Sequence, residues 1–358
     1  MVVRGGENLR ILVVGSSNFD LVAKADRLPR EGEVVVARDL RFFHGGKGAN
    51  RAVAVARLGA ATTFISAVGN DVIGDFVIEG LRQNGVETGW LKRAPDRSTG
   101  CSWITLLPSG NNATLVEPAA NFSLTAADIE RAGNAIAECD AVSADLEVPL
   151  EAVGAALERG RKAGKLTVLD AGPPRCCPAE ILRLADVVSP NEPELEALTA
   201  MPVSDRGSAR DAARKLIGLG VRTVVVKLGS DGSMLVTSQT SKHFPAPRIE
   251  AVDPTGAGDA FTAALTVQLA LGVEIEDAIR YANFAGAPRL PQPNSAPNPR
   301  CRRERNWKRS RPTTPRGSRS DSRSSRSAID RGLFREAHRA PSERALTIAY
   351  LTRLAFLA

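Results

Sequence analysis

The segment VDPTGAGDAF, residues 252–261, sets two carboxylates, Asp253 and Asp259, on either side of a turn that carries Gly256 and Gly258. Phe261, Leu265 and Leu269 follow at every fourth position, so the spacing predicts an amphipathic helix opening near Gly256. The turn Gly256-Ala257-Gly258 is then a helix N-terminus, whose unpaired N–H groups and dipole can hold an anion or a growing negative charge. Asp259 falls in the first turn. A carboxylate beside an anion site can take the proton of an attacking hydroxyl, which is general-base geometry. Standing alone, GAGD reads as a first-turn acid that merely steadies its helix, so the other residues must decide.

Two further stretches offer chemistry. HGGKGANRAVAVARLGA, His44–Ala60, lacks the GxxxxGK[ST] spacing of a Walker phosphate loop. Its glycines, Gly46 among them, let backbone approach a ligand, while Lys47 and Asn50 offer donors and an acceptor to hydroxyl groups. GSSNFDLV places Asn18 and Asp20 just past the first strand-like run. At i and i+2 of an extended segment they point the same way and can grip two hydroxyls together.

The elements that must position these residues alternate. ILVVG from Ile11, TTFISAVG from Thr62, LTVLDAG from Leu166, ADVVSPN from Ala185 and RTVVVKLG from Arg222 are short apolar strands with helical patterning between them. That rhythm predicts an α/β fold with a mostly parallel sheet covered on both faces, and ligands gather at the carboxyl ends of such strands. Glu33–Phe43 and Cys101–Pro118 break it and read as a small antiparallel appendage, a lid. Of 358 residues 43% are hydrophobic, enough for a substantial core. With no leader and no membrane-length apolar run, the chain reads as soluble and cytoplasmic. Cys101, Cys139, Cys176, Cys177 and Cys301 lack disulfide-framework or zinc spacing.

Two long signatures in order, GGKGANRAVAVARLGAATTFISAVGNDVIG and VDPTGAGDAF, identify residues 9–287 as resembling the PfkB (ribokinase-like) family of carbohydrate kinases. The resemblance implies a three-layer α/β/α sandwich over residues 1–287, with a small β lid from about 20–44 and 99–118. It implies ATP as co-substrate, with Asp259 as base on a sugar hydroxyl and Gly256-Ala257-Gly258 as anion hole. Asn18, Asp20, Gly46, Lys47, Asn50 and Glu147 match its sugar-binding positions. SPNEPE resembles the NxxE motif, with Asn191 near the nucleotide phosphates and Glu194 organising Mg2+ through water. Lys227, Gly229 and Asn283 fall by the nucleotide, and Asp253 would help hold K+. EPAANFSLTAADI resembles a segment that favours D-ribose, giving ribose 5-phosphate, over another sugar or a nucleoside. A homodimer paired through the lids is also implied.

After Ala287 the pattern changes. Residues 288–358 carry sixteen Arg and one Lys against five acids, a net of +12 that, against +7 for the whole chain, leaves −5 for residues 1–287. The segment lacks apolar periodicity and reads as disordered. A basic extension that binds phosphate backbones is one account of it. The account we expect is a shifted reading frame: read one base earlier with free choice of synonymous codons, Pro293–Trp307 can encode a family-like ending. In that case a catalytically impaired sugar-binding protein is the alternative to an active kinase. Nucleic acid is not the expected partner.

Overall fold

Runs such as Arg10–Val14, where four of five side chains are buried, can exist only as strands covered on both faces. The computed structural model describes residues 9–109, 112–247 and 256–287. Its strands, in chain order, are β1 (Arg10–Val14), β2 (Asn18–Lys24), β3 (Asp39–Gly45), β4 (Ala61–Gly69), β5 (Val86–Glu87), β6 (Leu91–Ala94) and β7 (Gly100–Leu106). They continue with β8 (Asn112–Glu117), β9 (Ala141–Asp145), β10 (Leu166–Asp170), β11 (Val187–Ser189), β12 (Val224–Lys227), β13 (Ser233–Val236) and β14 (Ser241–Phe244). The helices are α1 (Lys47–Arg57), α2 (Val72–Gln83), α3 (Ala126–Arg131), α4 (Gly133–Glu138) and α5 (Leu150–Lys162). After them come α6 (Ala179–Leu182), α7 (Glu192–Thr199), α8 (Arg206–Gly218), α9 (Ala257–Ala270) and α10 (Ile275–Gly286).

The main sheet runs β14-β13-β12-β11-β10-β9-β1-β4-β5, with β6 also beside β4. Every pair from β12 to β5 is parallel, and β13 and β14 add an antiparallel edge. Alternate residues serve opposite layers. Leu12 and Val14 pack with α3, α4, α5, α7 and α8, while Ile11 and Val13 pack with α1, α2 and α9. This is the expected three-layer α/β/α sandwich. Among the described residues no helix is long and apolar enough to cross a membrane.

The lid is a four-stranded sheet, β3-β2-β7-β8. Its outer pairs are antiparallel, but β2 and β7 run parallel over Asn18–Lys24 and Gly100–Leu106, so the appendage is mixed rather than antiparallel throughout. The reason is that each half is a local hairpin-like pair, and the halves meet through strands that both leave the main sheet outward. The strand expected from Glu33 begins only at Asp39. Val34 and Val36 lie before it at 89% and 83% exposure, with no neighbouring strand to pair them.

The helix expected at Gly256 is present as α9, but it is not amphipathic. Phe261 to Val267 are all buried, because α9 lies between α1 and α10 and against the sheet. Where α1 meets the end of β1 the backbones nearly touch. Ala49 N–H donates to Ser16 O at 2.9 Å, and a Cβ on Gly48 would sit 2.6 Å from Gly15 C. Helix propensity would favour Ala over Gly by about 1 kcal/mol. The clash is with backbone that cannot swing away, and overpacking of that kind costs about 1–3 kcal/mol. We therefore expect Gly48→Ala to lower the melting temperature by several degrees. An unchanged or raised value in a thermal melt would show that the two backbones are not held together at this point.

Candidate active site

The carboxyl ends of the parallel strands deliver most of the site. β9 ends at Asp145, two residues before Glu147; β10 ends at Asp170; β11 leads through Pro190 to Asn191; β12 ends at Lys227. α1 brings Lys47 and Asn50, and α9 brings Asp259. Asp170, Glu194 and Asp259 surround Lys47, whose Nζ lies 3.9, 3.7 and 3.7 Å from their carboxylates. Lys227 Nζ closes the other side, donating to Asp170 Oδ2 at 2.9 Å and lying 3.5 Å from Glu194 Oε2. Three buried acids thus share two lysines.

Burial opposes these charges, and their mutual attraction prevails. Burial alone would pull Lys47 down, but Asp259, Asp170, Glu194 and Glu147 hold it above the ordinary lysine range. Burial pushes Asp170 up, yet Lys227, Lys47, Arg51 and the hydroxyl of Thr262, which donates at 2.6 Å, hold it below the usual carboxylate range. Asp170 was not singled out from sequence. Its signal was a carboxylate closing a buried strand, LTVLD, at the end where ligands gather.

Asp259 is the exposed question in this cluster. Its Oδ2 accepts a hydrogen bond from Asn50 Nδ2 at 3.0 Å, whereas its Oδ1, the oxygen 3.7 Å from Lys47 Nζ, is buried with no hydrogen-bond partner among the described residues. Beside it, Gly256 holds φ +71°, a left-handed turn that only glycine adopts cheaply. Ala260 N–H bonds back to Gly256 O at 2.9 Å, and the amides of Ala257, Gly258 and Asp259 before it donate to no acceptor among the described residues. Gly258 faces Lys227, with room for no more than ordinary contact.

On the lid, Asn18 and Asp20 share the inner face of β2. Asn121, fully buried, accepts from Ser17 N–H at 2.8 Å and donates to Asn18 Oδ1 at 2.7 Å. Asp20 takes a hydrogen bond from Ser102, leaves Oδ1 buried and unpartnered, and lies in the field of Glu147 and Asp259. Glu147 accepts from Ser16 Oγ and from Lys47 N–H, the latter at 3.2 Å. Gly46 caps α1 at φ +90°.

The other expected residues have local duties. Asn191 and Glu194 form a reciprocal capping box on α7, with Asn191 N–H donating to Glu194 Oε2 at 2.8 Å and Glu194 N–H to Asn191 Oδ1 at 2.9 Å. Gly229 opens a short turn after β12, with open space beside its Cα. Asn283 donates its amide to the carbonyls of Phe244 and Pro245 at 3.1 and 3.4 Å. Asp253 lies outside the described residues, as does the tail after Ala287.

Residues 8–299 match the pfkB family of carbohydrate kinases. The chain belongs to this family. It is an ATP-dependent sugar kinase with a ribokinase-like fold. The kinase is 35% identical over 280 residues to the ribokinase of Staphylococcus aureus (strain COL), covering 78% of this chain and 92% of that one. It is equally 35% identical, over 273 residues, to the deoxyribokinase of Salmonella typhi, covering 76% and 89%. It also superposes on the structure of Arabidopsis thaliana ribokinase complexed with ribose and ATP with a TM-score of 0.72 at 33% identity, covering 78% of this chain and 92% of that one.

Burial raises Asp20 from 3.8 to about 6, with the hydrogen bond from Ser102 opposing and the charges of Glu147 and Asp259 adding to it. Between those values the folded chain binds more protons than the unfolded one, so this contribution to stability is complete below pH 4 and is lost as pH rises through 6. Asp20→Asn should therefore stabilise the kinase at pH 8, by at most about 3 kcal/mol. The gain should vanish below pH 4. A melting series from pH 4 to 8 in which mutant and parent run parallel would contradict this.

Proposed function

We propose that this kinase phosphorylates D-ribose to D-ribose 5-phosphate, with Asp259 as general base and the Gly256-Ala257-Gly258 turn as anion hole. The observation that carries the reading is the divided Asp259 carboxylate, with one oxygen held by Asn50 and the other buried near a helix N-terminus, without a hydrogen bond among the described residues and 3.7 Å from Lys47 Nζ. A sugar hydroxyl placed between the lid and that oxygen donates its proton to Asp259 as its own oxygen attacks the γ-phosphorus. The P–O bond to ADP breaks, and the amides of the first turn of α9 receive the charge on the transferred group. Lys47 and Lys227 are the cations on hand to meet the phosphates, where positioning and electrostatics supply most of the catalysis.

The sugar is read from Asn18, Asp20, Lys47, Asn50 and Glu147, which offer donors and acceptors from the lid, α1 and the end of β9. The ordered Ala119–Ser123 turn, which brings Asn121 to Asn18, supports ribose. Magnesium neutralises phosphate charge when bound. Glu194 fits a water-mediated contact with it, since Oε1 accepts no hydrogen bond among the described residues while Oε2 is committed to Asn191. Potassium held in part by Asp253 completes the reading. A homodimer joined through the lids is supported by the outer lid face, where Phe42, Leu21, Trp103 and Leu115 stand in register and Phe42, Trp103 and Leu115 are more than half exposed.

Asp259→Asn keeps size and the hydrogen bond to Asn50 but cannot take a proton. We expect the fold and sugar binding to persist and turnover to fall by about 10²- to 10⁴-fold. Near-normal turnover in a coupled ADP-release assay would rule Asp259 out as the base.

A further inference from the structure

Arg51 and Asp145 form an ion pair at 2.9 Å in which both side chains are wholly buried. Neither touches the cleft. Arg51 lies one turn after Lys47 on α1 and next to Asn50, and its Nη2 also donates to Val14 O at 3.3 Å. Asp145 closes β9 and divides its carboxylate, with Oδ2 meeting Arg51 and Oδ1 accepting Glu147 N–H, both at 2.9 Å. Glu147 in turn holds Ser16 Oγ and Lys47 N–H. One continuous chain of charged hydrogen bonds therefore ties the helix that carries Lys47 and Asn50 to the loop that carries Glu147. A Cβ on Gly15 would come 1.9 Å from Asp145 Oδ2, so this carboxylate lies directly against the Gly15 main chain.

We infer that Arg51 and Asp145 are positioning residues for the sugar side of the site, acting through Glu147; this rests on the reading of Glu147 as a sugar ligand. The pair is finely balanced. Burial raises Asp145 to about 7 against the pull of Arg51, and Arg51 Nε and Nη1 have no hydrogen-bond partner among the described residues. A buried pair tolerates joint replacement far better than loss of one member, which strands the other charge. An Asn at 145 has one acceptor oxygen where two bonds are needed, so Glu147 or Arg51 must be released. A Gln at 51 removes the stranded charge and frees that oxygen for Glu147.

The test is a double-mutant cycle on the full chain, with steady-state kinetics for ribose and ATP. Asp145→Asn should raise the ribose KM by about tenfold or more, since small misplacements are costly, while the ATP KM changes less than about twofold. Adding Arg51→Gln should bring the ribose KM back toward the parent value. If Asp145→Asn does not fold, Arg51→Lys, which keeps the charge but loses the fork, should show the same selective rise. Equal rises in both KM values, a loss of melting temperature alone, or a double mutant no better than Asp145→Asn would overturn the inference. Glu147→Gln separates the two claims. If it leaves the ribose KM unchanged, the sugar reading of Glu147 fails; if it raises that KM and Asp145→Asn does not, only the positioning role fails.

Discussion

The site depends on one electrostatic balance: Asp170, Glu194 and Asp259 are tolerated in a buried cleft because Lys47 and Lys227 stand among them. Each acid and each lysine alone would face a desolvation penalty of several kcal/mol. Together they form a preorganised cluster at the place where parallel strands end and a helix begins. The fold supplies this place for free: β10 and β12 end one strand apart, and α1 and α9 both open toward the gap.

That arrangement separates duties among similar residues. Asp170 has both oxygens hydrogen-bonded, Oδ2 by Lys227 and Thr262 and Oδ1 by Gly172 N–H, and serves as an anchor, whereas Asp259 Oδ1 accepts no hydrogen bond among the described residues. Glu194 is half committed to its capping box. In the proposed reading lid and body divide the sugar between them, with Asp20 and Asn18 on the lid and Glu147, Lys47 and Asn50 on the body.

Much of this was legible because the relevant signals are local. The GAGD turn announces a helix end whatever packs around it, and the short apolar runs from Ile11 and Leu166 can be little else than buried strands. What escaped was what depends on tertiary neighbours. Asn191 and Glu194 read as ligand residues, yet they also cap α7. No local pattern pairs Arg51 with Asp145, which the fold brings together and buries. The burial of α9 on most sides could not be inferred from Phe261, Leu265 and Leu269, because the other residues that line it are alanines and threonines. Val34 and Val36 read as strand by propensity, but no partner reaches them.

The central claim is that this cluster delivers a sugar hydroxyl to the phosphate of ATP, with ribose fitting best. The most direct measurement is ADP release by the full chain across ribose, deoxyribose, fructose and adenosine, with phosphorus NMR of the product. The account predicts the highest kcat/KM with ribose and phosphate on its primary hydroxyl. ADP release that none of the sugars accelerates, or phosphate on another position, would contradict it.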